Sequence, residues 1–155
     1  MKIKKYVDLF VESGVVISLT GMILSVVIQV FSRFFLESAP HWTEEAARIF
    51  FIFSIAFGSG LAIRDRGYVQ LDYFLDKFHA KTKDRIQLII RGIILLFGIL
   101  ISFYSIKFIQ IGSSETSPSL HVNMAYVFSS ILILGILIAY YSAIDLVVKT
   151  KQKNI

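Results

Sequence analysis

The chain contains no cysteine, which excludes a disulfide framework, a thiolate metal centre and thiol redox chemistry. Charge is scarce as well. Asp, Glu, Lys and Arg make up 17% of the 155 residues, where soluble domains carry about a quarter. Histidine occurs only at His41, His79 and His121, all at the edges of apolar blocks or between them. Haem held in a bilayer takes axial ligands such as histidine from within the helices, so these positions argue against a haem-bearing electron carrier. What is abundant is apolar side chain: 55% of residues are hydrophobic and the mean hydropathy is +0.70.

The apolar residues gather in four blocks, approximately 15–35, 45–63, 86–111 and 122–148. Each has the length that about 30 Å of hydrocarbon demands at about 1.5 Å per helical residue. Bare strands cannot sit in lipid, and no barrel-type alternation is present, so the spans are read as helices. The expected fold class is an all-α integral membrane protein with four transmembrane helices in a single domain, residues 1–155. The N-terminal stretch MKIKKYVDLF is followed by no A-x-A-like cleavage site, so the first block reads as a retained span.

The formal charge of +5 does not mark a nucleic-acid surface, because the basic residues lie between the blocks rather than in one patch. Lys2, Lys4 and Lys5 precede the first span. Arg64, Arg66, Lys77, Lys81, Lys83 and Arg85 separate the second from the third, and Lys149, Lys151 and Lys153 follow the fourth. The segments 37–43 and 112–121 contain neither Lys nor Arg. Lysine and arginine accumulate on the cytoplasmic side of membrane proteins. Both termini are therefore expected in the cytoplasm, with the chain multi-pass in the membrane. In the basic loop, Leu71, Phe74, Leu75 and Phe78 recur at helical spacing, opposite Gln70, Asp72, Asp76, Lys77 and His79. That pattern predicts a short amphipathic helix over 69–79 lying in the headgroup region, in contact with membrane lipid; an ordinary connector is the alternative.

A proton-coupled transporter needs an acid at membrane depth. The acids fall at or beyond the expected span boundaries, Glu12 and Asp145 coming closest, and there is no pair of broken helices of transporter type. No catalytic or metal site is expected, and no cofactor in this chain. Packing signals are clearer. Ser54/Gly58 and Ala56/Gly60 in the second span, and Gly98/Ser102 in the third, stand at the small-x-x-x-small spacing that lets helices approach closely. They serve either the chain's own bundle or a partner. At the entry to the second span, Thr43 is expected to cap the helix, with Glu44 and Glu45 in the first turn where the macrodipole favours anions. Glu44 and Arg48 are spaced i, i+4, Trp42 suits an interface, and Arg33 stands close enough in sequence to join the cluster. A purely structural role accounts for these residues as readily as a binding one.

In order along the chain, Arg33, the run Trp42, Glu44, Glu45 and Arg48, then Phe57 and Gly58, Ala62 and Arg64, Val69 and Asp72, and finally Ser117, Pro118 and Leu120 form a series. That series resembles the small, four-helix Q-type membrane subunit of tripartite ATP-independent periplasmic (TRAP) transporters. Tyr68 stands where a histidine is often found, and Asn123 and Ala125 replace a proline and tryptophan entering the last span. The resemblance implies a non-catalytic scaffold beside a large elevator-type membrane subunit. That subunit holds the solute and sodium sites, and a periplasmic solute-binding protein delivers an organic acid. Sialic acid is the favoured solute, with C4-dicarboxylates and other carboxylates as alternatives. On this view Arg33, Trp42, Glu44, Glu45, Arg48, Gly58 and Gly60 are candidates for partner interface or docking. The competing reading is a free-standing small transporter or channel acting as a homo-oligomer.

Overall fold

The computed structural model describes residues 2–35, 40–65 and 80–153. Four helices account for nearly all of them: α1 (Lys2–Phe35), α2 (His41–Arg64), α3 (Ala80–Gly112) and α4 (Met124–Lys153). All four are long and apolar enough to cross a membrane. No strand occurs among the described residues beyond one isolated bridge between Thr116 and Asn123. The amphipathic helix expected over 69–79, with Leu71, Phe74, Leu75 and Phe78, lies outside the described residues.

The helices do not close into a square bundle. α1 packs on α2, α2 on α4, and α4 on α3, while α1 and α3 share no extensive contact. The spatial order is thus α1–α2–α4–α3, with α2 and α4 central. α1 runs antiparallel to α2 and α3 antiparallel to α4, and the central pair is parallel. The start of α1 therefore meets the far end of α4, where the Tyr141 hydroxyl donates to Asp8 Oδ1 at 2.7 Å. This is the tail end. The opposite end carries the α3–α4 loop and the start of α2, and is the loop end.

A seven-residue rhythm of small side chains sets the contacts. On α1 the buried positions are Val11, Ser18, Ser25 and Ser32, a spacing that keeps one seam facing its neighbour over the helix length. Gly14 and Gly21 flank that seam. A Cβ at Gly14 would stand 2.8 Å from the ring of Phe57, and one at Gly21 would stand 2.7 Å from Phe50. Two aromatic side chains of α2, seven residues apart, thus sit on two glycines of α1, also seven apart. Phe10 completes the group by meeting Phe57 edge-on at 5.9 Å.

The α3–α4 seam repeats the rule with backbone on backbone. Gly98, Ser105 and Gly112 are buried on α3. A Cβ at Gly98 would come within 2.8 Å of the Ala139 amide nitrogen, and one at Gly135 within 2.7 Å of the Ser102 nitrogen. The Gly98/Ser102 pair therefore serves packing within the chain. Gly60 does the same between α2 and α4, where its missing Cβ leaves room for Leu137 and Tyr141 at 3.1 Å. Four of the buried serines are satisfied within their own helix. Ser25 donates to Gly21 O, Ser54 to Phe51 O, Ser105 to Ser102 O and Ser130 to Val127 O, at 2.6–2.8 Å. Back-bonded in this way, a serine acts as a small residue that leaves no orphan polar group in lipid.

The outer faces of α1 and α3 are correspondingly apolar and open. Phe10, Ile17, Leu24 and Phe31 on α1, and Ile89, Leu96 and Phe103 on α3, are all more than half exposed. In a bilayer they meet acyl chains or another membrane protein.

Close approach at Gly98 has a direct test. Gly98→Leu forces α3 and α4 apart and is expected to destabilise the fold by about 1–3 kcal/mol through overpacking. Gly92→Leu, at a position with no neighbouring atom within 4 Å, is expected to change little. Thermal unfolding of the two variants in the same detergent compares them.

Candidate functional site: the loop end of the central helices

α2 begins at His41, immediately after Pro40, whose φ of −62° and ψ of 125° place it in extended conformation. The helix starts two residues before Thr43, so Thr43 does not cap it as its sequence position suggests. Thr43 is fully buried in the first turn and its hydroxyl donates to Pro40 O at 2.7 Å. Trp42 is 42% exposed beside it.

The two glutamates that follow, adjacent in sequence, point to different tasks. Glu44 faces outward and accepts from Arg48 Nη2 at 3.0 Å, both side chains 67% exposed. An exposed pair of this kind adds little to stability, which leaves both groups available to a partner. Glu45 turns toward the α3–α4 loop instead. Its Oε2 accepts from the backbone N–H groups of Ser119 and Leu120, each at 2.9 Å. The carboxylate thereby ties the start of α2 to the loop.

That loop is itself closely built. Ser117 N donates to Val122 O at 2.9 Å, and Ser117 Oγ, on a buried side chain, accepts from Val122 N at 3.2 Å. His121 takes a φ of 54°, a left-handed conformation that costs a non-glycine residue energy and persists only where its surroundings hold it. Here the holding contact is the His121 N–H on Ser117 O at 3.2 Å. Asn123 then starts α4: its Oδ1 accepts from Ala125 N at 2.8 Å, the N-cap pattern. Its amide nitrogen donates to Ser113 O at 2.9 Å. The position where the resemblance led one to expect a proline–tryptophan entry is filled by a residue that caps the helix by another route.

Between α2, this loop and α4 lies an open cleft of about 640 Å³. Ile49 and Ile52 from α2 and Val127, Phe128 and Ile131 from α4 give it a mostly apolar surface, Ser117, Ser119 and Ser130 add hydroxyls, and His41, Glu44, Arg48 and Glu115 bring charged or titratable groups to it. Of the sequence candidates, Trp42, Glu44, Glu45 and Arg48 therefore come together at one end. Arg33 is exposed near the end of α1, and no ion pair joins it to Glu44 or Glu45 among the described residues. Gly60 is spent on packing against α4, whereas a Cβ at Gly58 would meet nothing within 4 Å.

The tail end holds groups that the sequence reading undervalued. Arg91, well inside α3, places Nε 2.8 Å from Asp145 Oδ2 on α4, and the side chains are only 12% and 17% exposed. Asp145, read from sequence as a surface acid at the end of the last span, is instead turned inward to this arginine. The contact is a charge pair rather than an aligned hydrogen bond, and Arg91 Nη1 and Ser142 Oγ are buried without a hydrogen-bond partner among the described residues. A basic residue inside an apolar span is the signal that would have found it, since such residues pair within the bundle. Nearby, Arg64 Nη1 donates to Glu12 Oε1 at 2.6 Å and Nε to Asp65 Oδ1 at 2.8 Å. The guanidinium holds the Asp65 carboxyl below the usual carboxylate range. Together with Tyr141–Asp8, these contacts tie α1 to α2 and α4, and α3 to α4.

Geometry of this kind defines a class: a polytopic four-helix membrane protein whose paired charges join helices to one another. Comparison with known proteins makes the class specific. Residues 22–152 match the family described as tripartite ATP-independent periplasmic transporters, DctQ component, and the chain belongs to that family. It is also 22% identical over 136 residues to a Haemophilus influenzae protein described as a TRAP transporter small permease, covering 88% of this chain and 82% of the relative. The family is a transporter component rather than an enzyme.

Two contrasts test the site. Glu45→Ala is expected to lower the melting temperature by several degrees and to expose the loop around Ser117–Leu120 to protease, because two backbone N–H groups lose their acceptor. Glu44→Ala is expected to change neither measurably. Arg91→Ala is expected to cost about 3–5 kcal/mol by leaving Asp145 buried and unpaired, while Arg91→Leu combined with Asp145→Leu restores most of the loss. Unfolding of the single and double variants in detergent reads the difference.

Proposed function

We propose that this small TRAP permease subunit is a fixed scaffold for a large elevator-type membrane subunit, in sodium-driven uptake of an organic acid. A periplasmic solute-binding protein delivers the solute, which we take to be sialic acid in preference to a C4-dicarboxylate or another carboxylate. The coupling sodium binds in the large subunit. The chain lies in the bacterial inner membrane with both termini cytoplasmic, so the tail end is cytoplasmic and the loop end periplasmic.

The observation that carries the scaffold role is how the charges at the tail end of the helices are used. Arg64, Arg91 and Asp145 are each engaged with another residue of the same chain. A group that couples ion movement to transport must change its protonation or its partner during the cycle, and these are committed to holding helices together. Glu44, Arg48 and Trp42, exposed at the loop end, are the groups left for docking, and Gly58 is the open small residue for a neighbouring membrane helix.

Co-expression with the large subunit and the binding protein tests the proposal. The two membrane chains are expected to co-purify. Liposomes lacking this chain are expected to lose sodium-driven uptake. The double reversal Glu44→Lys, Arg48→Glu, which preserves their mutual attraction, is expected to reduce uptake without preventing insertion. Full uptake by the large subunit alone would defeat the proposal, as would solute accumulation in vesicles containing only this chain.

A further inference from the structure

We propose that the cleft between α2 and α4 at the loop end is a lipid site. It takes one acyl chain of a zwitterionic aminophospholipid and seats the headgroup on Glu44, Arg48 and Glu115. The inference needs only the membrane location of the helices and is independent of which transporter the chain serves.

The cleft exists because the central helices are pinned at both ends and cannot close between. Toward the tail end, Gly60 brings α2 onto Leu137 and Tyr141. At the loop end, Glu45 grips Ser119 N and Leu120 N, holding the α3–α4 loop across the mouth. Between these two anchors Ile49 and Ile52 look across a gap at Val127, Phe128 and Ile131, and the space amounts to about 640 Å³. Most of the surface that lines this open space is apolar, and apolar surface is stabilised by apolar contact. A space so lined, opening within a bilayer, calls for apolar material, and acyl chain is what surrounds it.

The rim specifies the headgroup. Trp42, next in sequence to the lining residue His41 and 42% exposed, is the residue type that settles at headgroup depth. Arg48 and Glu44 are paired with each other yet 67% exposed, so both can exchange partners at little cost. Arg48 then faces the phosphate, and Glu44 with Glu115 the amine. The rim carries two carboxylates, Glu44 and Glu115, against one guanidinium, which disfavours a headgroup of net negative charge. A primary ammonium donates hydrogen bonds to carboxylates, which the quaternary ammonium of choline, having no N–H, cannot do. Phosphatidylethanolamine is therefore preferred over both phosphatidylglycerol and phosphatidylcholine.

The test uses the full purified chain in mild detergent, with equal amounts of the three phospholipids added and bound lipid counted by native mass spectrometry. One phosphatidylethanolamine per chain is expected to be retained, several-fold in preference to the other two. The preference is expected to vanish in Glu44→Gln with Arg48→Gln, exposed changes that leave the melting temperature intact. Phosphatidylethanolamine carrying a photoreactive diazirine in its acyl chain is expected to label peptides containing Ile49–Ile52 and Val127–Ile131. Equal retention of all three lipids, or labelling confined to the outer faces of α1 and α3, would show ordinary annular lipid and overturn the proposal. Loss of the cleft label on adding the large membrane subunit, with a protein segment taking its place, would overturn it too.

Discussion

Everything in this fold depends on how closely two helix backbones can approach without a side chain between them. In lipid no hydrophobic force drives helices together, since acyl chains are as apolar as leucine; association rests on packing and on internally satisfied polar groups. This chain meets that constraint with glycine and serine at seven-residue intervals. Gly98 and Gly135 let α3 and α4 touch backbone to backbone, Gly14 and Gly21 receive the rings of Phe57 and Phe50, and Gly60 admits Tyr141. Only once the helices are that close can Asp145 reach Arg91, or Tyr141 reach Asp8.

The polar contacts sit at the two ends of the seams rather than in their middles. At the tail end Arg64 engages Glu12 and Asp65 while Arg91 engages Asp145, and at the loop end Glu45 binds backbone N–H groups. Placed near the headgroups, such contacts are less costly to desolvate than at the bilayer centre, where a charge is most expensive. The distribution fixes register without asking the hydrocarbon core to hold charge. It also explains why the apolar faces of α1 and α3 are free of such constraints and can be given over to lipid or a neighbouring subunit.

The helices were legible in the sequence because their signal is collective: four long apolar runs admit few other structures. The family was legible for the same kind of reason, a series of individually weak residues in one order. What escaped was pairwise. Glu44 and Glu45 look equivalent along the chain, and only the placement of the α3–α4 loop, dozens of residues away, separates the exposed one from the one that anchors. Arg91 lies inside an apolar run whose mean hydropathy hides it. Asp145, near a helix end, looks solvated until α3 is laid beside it. Thr43 resembled a cap because capping residues are recognised by type, whereas Pro40, with its fixed φ, takes the cap position three residues earlier. The seven-residue spacing of Gly14 with Gly21 and of Phe50 with Phe57 was available in the sequence, but spacing acquires meaning only when both seams are read as one interlocking pair.

The order α1–α2–α4–α3 has a mechanical consequence. Adjacent packed helices stand about 8–10 Å apart, so three successive contacts set the outer axes up to about 24–30 Å from one another. In a closed square of four helices the farthest axes, across the diagonal, are only about 11–14 Å apart. An open array exposes more edge to a companion subunit and resists tilting about the membrane normal over a longer arm. It can do so only if its own seams do not shear, and sliding is what interlocked aromatic–glycine contacts and end-placed charge pairs oppose: a one-residue slip would break Phe57 over Gly14 in the α1–α2 seam or Arg91 with Asp145 in the α3–α4 seam. The contacts that commit Arg64, Arg91 and Asp145 to holding helices together are therefore the same ones that would make the chain rigid enough to anchor a partner that moves.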